Sequence, residues 1–147
     1  MKRMSLSIFI VLIIAGLQLS ACAPAAPLEE PIKPVHLEPI AGTSLNNVIL
    51  TEDAAKRLDL QTATVHEEQI NGAQRIVVPY AAVLYEANGD TWVYVNTAPL
   101  TFVRQLIVID YIAGDQAFLS AGPASESVVV TVGAAELYGS ESEFEEE

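Results

Sequence analysis

The chain has 147 residues with 7 Lys plus Arg against 19 Asp plus Glu, a formal charge of -12, and is 51% apolar. Its mean hydropathy is +0.34. Acidity with positive hydropathy excludes a wholly disordered acidic protein, which would be poor in apolar residues. Seven scattered cations exclude the basic stripe of a nucleic-acid binder and the Lys/Arg clusters that recruit proteins to anionic lipid heads. The length fits one domain with appended segments.

The first element is an export signal. Lys2 and Arg3 precede the apolar run Ile8-Phe9-Ile10-Val11-Leu12-Ile13-Ile14-Ala15-Gly16-Leu17, the charged and apolar regions of a secretory signal peptide. Leu19-Ser20-Ala21-Cys22 follows and resembles the lipobox of bacterial lipoproteins. That resemblance implies cleavage after Ala21 and a lipid on Cys22. The alternative is an uncleaved membrane anchor, for which the stretch Ser5 to Ala21 is at the short limit. Either places the body outside the cytoplasm. Cys22 is the single cysteine, so no disulfide forms within the chain. With Ala23 next, a diderm host would sort the lipoprotein to the outer membrane, facing the periplasm.

Residues 22–45 form the second segment, with Pro24, Pro27, Pro31, Pro34 and Pro39. Prolines stiffen a chain toward polyproline II, so an extended spacer is expected. Residues 46–139 read as the folded domain. Residues 140–147, Ser-Glu-Ser-Glu-Phe-Glu-Glu-Glu, read as a solvated, disordered acidic tail.

Within the domain, Val48-Ile49-Leu50 opens a strand, and Thr51 caps a short helix over Glu52 to Leu58 with acids first and bases last. Strands follow at Leu60–His66, Arg75–Val78, Val83–Glu86, Thr91–Val95, Phe102–Asp110, Ala117–Leu119 and Val128–Val132. Asn88-Gly89 predicts a type I′ hairpin turn, and Gly133 to Leu137 one helical turn. Short strands at this spacing predict an all-β fold, a small barrel or sandwich.

Catalytic motifs are missing: no G-x-S-x-G, G-x-G-x-x-G, P-loop or C-x-x-C occurs. The expectation is a non-enzymatic protein with no cofactor and no metal site. His66 beside Glu67 and Glu68 falls short of an ordered three- or four-ligand set, and Met1 and Met4 leave with the signal peptide. Trp92 and Tyr94 alternate with Val93 and Val95, so one pair faces the core. If the aromatics face out they form a contact patch; the plainer alternative buries them. Arg104 is one of four cations in the domain and stands mid-strand, where a neighbouring acid can pair with it. Trp92, Tyr94 and Arg104 are the candidate partner-contact residues.

Val78-Pro79-Tyr80-Ala81-Ala82-Val83-Leu84, the Asn-Gly turn and Thr91-Trp92-Val93-Tyr94-Val95 resemble the stretch opening the C-terminal part of periplasmic adaptor subunits (membrane fusion proteins) of RND efflux pumps. Phe102-Val103-Arg104 with Val108, and Ser120-Ala121-Gly122 with Val129 to Ala134, are similar to that family's following strands. Val48-Ile49-Leu50-Thr51 with Leu58 to Thr62 resembles the opening of its membrane-proximal region. The resemblance spans residues 46–139 and implies a β-roll or permuted SH3-like barrel with one short helix. It implies no catalytic residues. Only Glu67 to Gln74 stands where the family inserts its barrel, lipoyl-like and hairpin domains, and Asp110, Pro123 and Glu126 depart from its turn pattern. The implied role is a lipid-anchored accessory or docking module, its partner a transporter or full-length adaptor. The alternative is a small-molecule or cation-binding lipoprotein.

Overall fold

In the computed structural model of the chain, residues 33–145 are described. The signal peptide over 1–21, Cys22 and the first part of the spacer lie outside the described residues.

Ten strands and two α-helices make up the described part. The elements are β1 (Val35–Pro39), β2 (Asn46–Leu50), α1 (Glu52–Arg57), β3 (Gln61–Thr64), β4 (His66–Ile70), β5 (Ala73–Pro79), a 3-10 turn (Tyr80–Ala82), β6 (Leu84–Tyr85), β7 (Thr91–Ala98), β8 (Thr101–Ala113), β9 (Gln116–Ala121), β10 (Val128–Val132) and α2 (Ala134–Glu145). All strand pairs are antiparallel, in the order β3-β10-β7-β8-β9-β5-β4, with β1-β2 joined to β8 and β6 to β7. The sheet curls into an all-β, barrel-like form, as the strand spacing predicts.

The curl has a local cause. The thirteen-residue strand β8 pairs with β7 through Thr101–Ile107 and with β9 through Val108–Ala113. Its register shifts between Val108 and Ile109 and again between Ile109 and Tyr111. Extra residues on one strand bend it and increase its twist, so β8 belongs to both halves of the sheet. The segment β3–β4 does the same at Val65. The Val65 amide donates to the Ser127 carbonyl at 2.8 Å, and its carbonyl accepts from the Glu126 amide at 2.9 Å.

Two apolar cores result. Val35, Val48, Leu50, Ala54, Tyr94, Phe102, Val130, Ala134 and Leu137 form the first. Val65, Val78, Ala82, Val93, Ile107, Ala117, Leu119 and Val129 form the second. Neighbours in sequence, Val93 and Tyr94 or Val129 and Val130, point into different cores. Strands β7 and β10 are therefore buried on both faces at these positions, which explains why β10 begins with three consecutive valines, Val128 to Val130, rather than with an alternation.

Local chemistry agrees with the sequence at α1. The Thr51 hydroxyl accepts from the Ala54 amide at 3.2 Å, Glu52 and Asp53 occupy the first turn, and Lys56 and Arg57 the last. Elsewhere the structure corrects the reading. The spacer, drawn over 22–45, ends earlier, because β1 pairs with β2 from Val35↔Leu50 to Pro39↔Asn46. Four consecutive residues free of proline, Val35 to Glu38, suffice for a strand, and Pro39 sits at its end, where a missing donor is tolerated. The Asn-Gly turn of type I′ is not at 88–89. Both residues are left-handed at Asn71 (φ 52) and Gly72 (φ 81), where the chain turns tightly from β4 to β5. In the β6–β7 hairpin only Gly89 is left-handed (φ 93), and the Asn88 side chain instead accepts from the Asp90 amide at 2.9 Å.

The largest correction concerns the C-terminus. The segment over 140–147 read as a disordered tail, and its first six residues continue α2. Ala134, Leu137, Tyr138 and Glu141 recur at i, i+3, i+4 and i+7, one helical face. Ala134 and Leu137 are buried, and Glu141 is only 1% exposed. Counting the acids as one charge block hides the fact that one of them extends the buried stripe.

Candidate functional site

Strand register brings the three sequence-predicted residues together. Tyr94 stands directly opposite Arg104 in the β7–β8 ladder, and Trp92 is two residues along, opposite Leu106. Residues at i and i+2 share a face, so Trp92 is a diagonal neighbour of Arg104. The Arg104 guanidinium carbon lies 5.4 Å from the Trp92 ring centre and 5.2 Å from that of Tyr138 on α2. Both distances are within the range of cation–π attraction.

Two carboxylates complete the cluster. Arg104 Nη1 donates to Glu86 Oε1 at 2.6 Å, and Arg104 Nε lies 3.0 Å from Glu141 Oε2. The Tyr94 hydroxyl donates to the same Glu141 oxygen. Tyr94 is fully buried and holds its proton far above the usual phenol range, first because burial disfavours the phenolate, then because Glu141 accepts its hydrogen bond; Arg104 opposes this weakly. A carboxylate so buried persists ionised only with such partners. The cluster thus ties α2 to β7, β8 and the turn after β6. Tyr94 is not part of an exposed contact patch, and Arg104, at 11% side-chain exposure, is nearly covered as well. Glu86, Tyr138 and Glu141 were not singled out from sequence; the helical spacing from Ala134 to Glu141 is the signal that could have found the last two, whereas Glu86 carried none.

The exposed apolar side chains lie elsewhere. Leu106 and Val108 on β8 are 47% and 50% exposed, and Tyr85 on β6 is 57% exposed. With Gly89, Asp90 and Thr91 they line a shallow depression of about 370 Å³. Tyr80 in the 3-10 turn is 41% exposed, and its phenol raises that of Tyr85 above the ordinary value, extending the patch to that turn. Large apolar side chains grouped in solvent mark surfaces that contact other molecules.

A second depression, about 710 Å³, opens between α1 and the β7–β8 turn, with Lys56, Asp59, Leu60, Leu100 and Phe102 in its walls. Asp59 and Leu100 are both left-handed (φ 49 and 56) without being glycine, a conformation costing about 1 kcal/mol or more for a branched side chain.

His66 bonds Glu68 at 3.2 Å, while Glu67 accepts from Gln74. Among the described residues no group of three or more His, Cys, Asp or Glu side chains is placed to hold a metal ion. No helix of the described residues is long and apolar enough to cross a membrane.

No protein-family model matches the chain, and neither a curated protein nor a solved structure matches it.

Proposed function

We propose that this chain is a non-enzymatic docking module, anchored by a lipid on Cys22 and displayed on the extracytoplasmic side of a membrane, where it contacts a transporter or its full-length adaptor. In a diderm host the anchor lies in the cell membrane or the outer membrane. The observation that carries the reading is the patch of Tyr80, Tyr85, Leu106 and Val108, four large apolar or aromatic side chains left half in solvent on a small β domain. The similarity of residues 46–139 to the membrane-proximal domain of efflux adaptors supplies the class of partner. The C-terminal helix is tied through Glu141 to Arg104 and Tyr94 of the sheet that bears the patch.

Two measurements test it. Metabolic labelling with a radioactive fatty acid should mark the wild-type chain and leave Cys22→Ala unlabelled. Mild-detergent extraction of native membranes should recover a polytopic transporter or an adaptor subunit with the wild type, and neither with the Leu106→Glu/Val108→Glu variant. Recovery of neither with the wild type contradicts the docking role.

A second reading, a small-molecule or cation-binding lipoprotein, is favoured by the 710 Å³ groove beside α1, whose walls carry Glu52 and Asp59 as well as apolar side chains. Specific binding to the folded state raises the melting temperature, so thermal melts across a panel of amphiphilic cations and metal salts distinguish the two.

A further inference from the structure

Strand β8 outruns its neighbour. β7 pairs with it only from Thr101 to Ile107, while β8 continues from Val108 to Ala113 against β9 on its other side. Among the described residues no strand pairs with the edge that β7 vacates. A stretch of that length spans roughly 20 Å and turns alternate main-chain donors and acceptors toward the open side. The gap begins at the depression of the docking patch, where Gly89 and Asp90 share a wall with Val108 and Ile109.

Unpaired edges invite another strand, and folded proteins normally guard them with charge. β4 is guarded in this way: it pairs only with β5 and carries Glu67 and Glu68. The open stretch of β8 carries Val108, Ile109, Tyr111 and Ile112, and its single acid, Asp110, is held by Arg75 at 2.6 Å. Val108, Tyr111 and Ile112 are exposed. This edge is apolar and its one charge is already paired.

Charge at the two ends selects the occupant. Asp90 stands where β7 stops, and Asp115 lies in the turn where β8 ends. Neither forms an ion pair among the described residues. A second copy pairing antiparallel through this edge would set Asp90 of one copy toward Asp115 of the other, like charge against like. A strand with an apolar middle and Lys or Arg at each end meets both carboxylates instead. β8 bends at its register shifts, so the added strand must be short.

We infer that the β8 edge from Val108 to Ala113 takes up a short extended segment of the docking partner as an added strand, apolar in its middle and basic at both ends. Strand addition draws affinity from main-chain hydrogen bonds and specificity from alternate side chains. The inference rests on the docking reading, whose patch includes Val108, and specifies how the contact is made.

The probe is the peptide acetyl-Lys-Val-Thr-Val-Thr-Val-Lys-amide, titrated into the nitrogen-15-labelled full chain in mild detergent. Backbone amides of Val108 to Ala113 should shift saturably, and those on the open side should exchange their protons roughly tenfold more slowly. N-methylation of either the Val or the Thr amides keeps every side chain, and only one of these sets faces β8. One methylated peptide should therefore bind roughly tenfold more weakly than the parent, and the other within about threefold of it. Replacing both lysines with glutamate should weaken binding roughly tenfold.

No saturable shift from Val108 to Ala113 overturns the site. Equal affinity of the two methylated peptides overturns strand pairing and leaves docking through the side chains of the patch standing. Equal affinity of the lysine and glutamate peptides overturns the basic partner. A dimer of the peptide-free chain with the same amides protected gives the edge to a second copy and overturns the partner segment. Peptide binding that meets every expectation, while native membranes yield neither transporter nor adaptor, contradicts the docking reading alone.

Discussion

Arg104 on β8 holds the Glu141 carboxylate of α2 at 3.0 Å, and that carboxylate is 1% exposed. The pair joins a strand at the centre of the sheet to the last helix of the described chain. Breaking a buried pair from one side leaves an uncompensated charge, which typically costs 3–5 kcal/mol. Glu141→Ala should therefore destabilise the protein by about 3 kcal/mol, the low end of that range because Glu86 keeps its bond to Arg104. Removing residues 140–147 should cost at least as much, whereas a solvated tail would be lost without effect. Urea denaturation of the purified protein reads both.

Tyr94 predicts a pH dependence. Its folded-state value is raised from the ordinary 10.0, so its contribution is fully present below pH 10 and is lost as the pH rises above it. There the unfolded chain can release the phenol proton and the folded one cannot. The slope should be about 1.4 kcal/mol per pH unit. Phenylalanine has no such proton, so the difference in unfolding free energy between wild type and Tyr94→Phe should shrink by that slope between pH 10 and 11.5. A constant difference would contradict the burial of the hydroxyl.

Glycine positions separate conformational strain from steric clash. Gly89 and Gly133 are both left-handed (φ 93 and 81), but a Cβ on Gly89 meets open space. On Gly133 it would lie 2.5 Å from Leu60 Cδ2 and 2.7 Å from the Leu58 carbonyl oxygen. Gly89→Ala should cost about 1–2 kcal/mol. Gly133→Ala should cost clearly more, roughly 3 kcal/mol, because the backbone carbonyl after α1 cannot move aside cheaply. Thermal melts of the two variants provide the comparison.

The apolar patch makes the opposite kind of prediction. Leu106 and Val108 are about half exposed, and surface changes away from caps, cores and ion pairs stay within about 0.5 kcal/mol. Leu106→Glu and Val108→Glu should leave the denaturation midpoint nearly unchanged. A large loss of stability would place these side chains in the fold's own packing and remove them from any docking surface.

Much of the fold was legible in local chemistry. Thr51 with acids before bases set α1, and β-branched runs between Gly and Pro marked most strands. What escaped depended on distant partners. Glu141 reads as one more tail acid until Arg104, 37 positions earlier, and Tyr94, 47 earlier, are placed beside it. β1 was hidden because prolines flank it, and β4 because His66-Glu67-Glu68-Gln69-Ile70 has no apolar alternation; its pairing with β5 is fixed by the Asn71-Gly72 turn. The candidate contact residues were half legible. Alternation showed that Trp92 and Tyr94 share a face, but not that Tyr94 is buried, since β7 has a core on both sides.

The docking role is tested most directly by a photo-crosslinking amino acid at position 108 of the full chain in native membranes. The account predicts a covalent adduct with a transporter subunit or a full-length adaptor, absent when the same probe replaces exposed Glu126. No adduct with a membrane transport protein from position 108, or equal adducts from both positions, would contradict it.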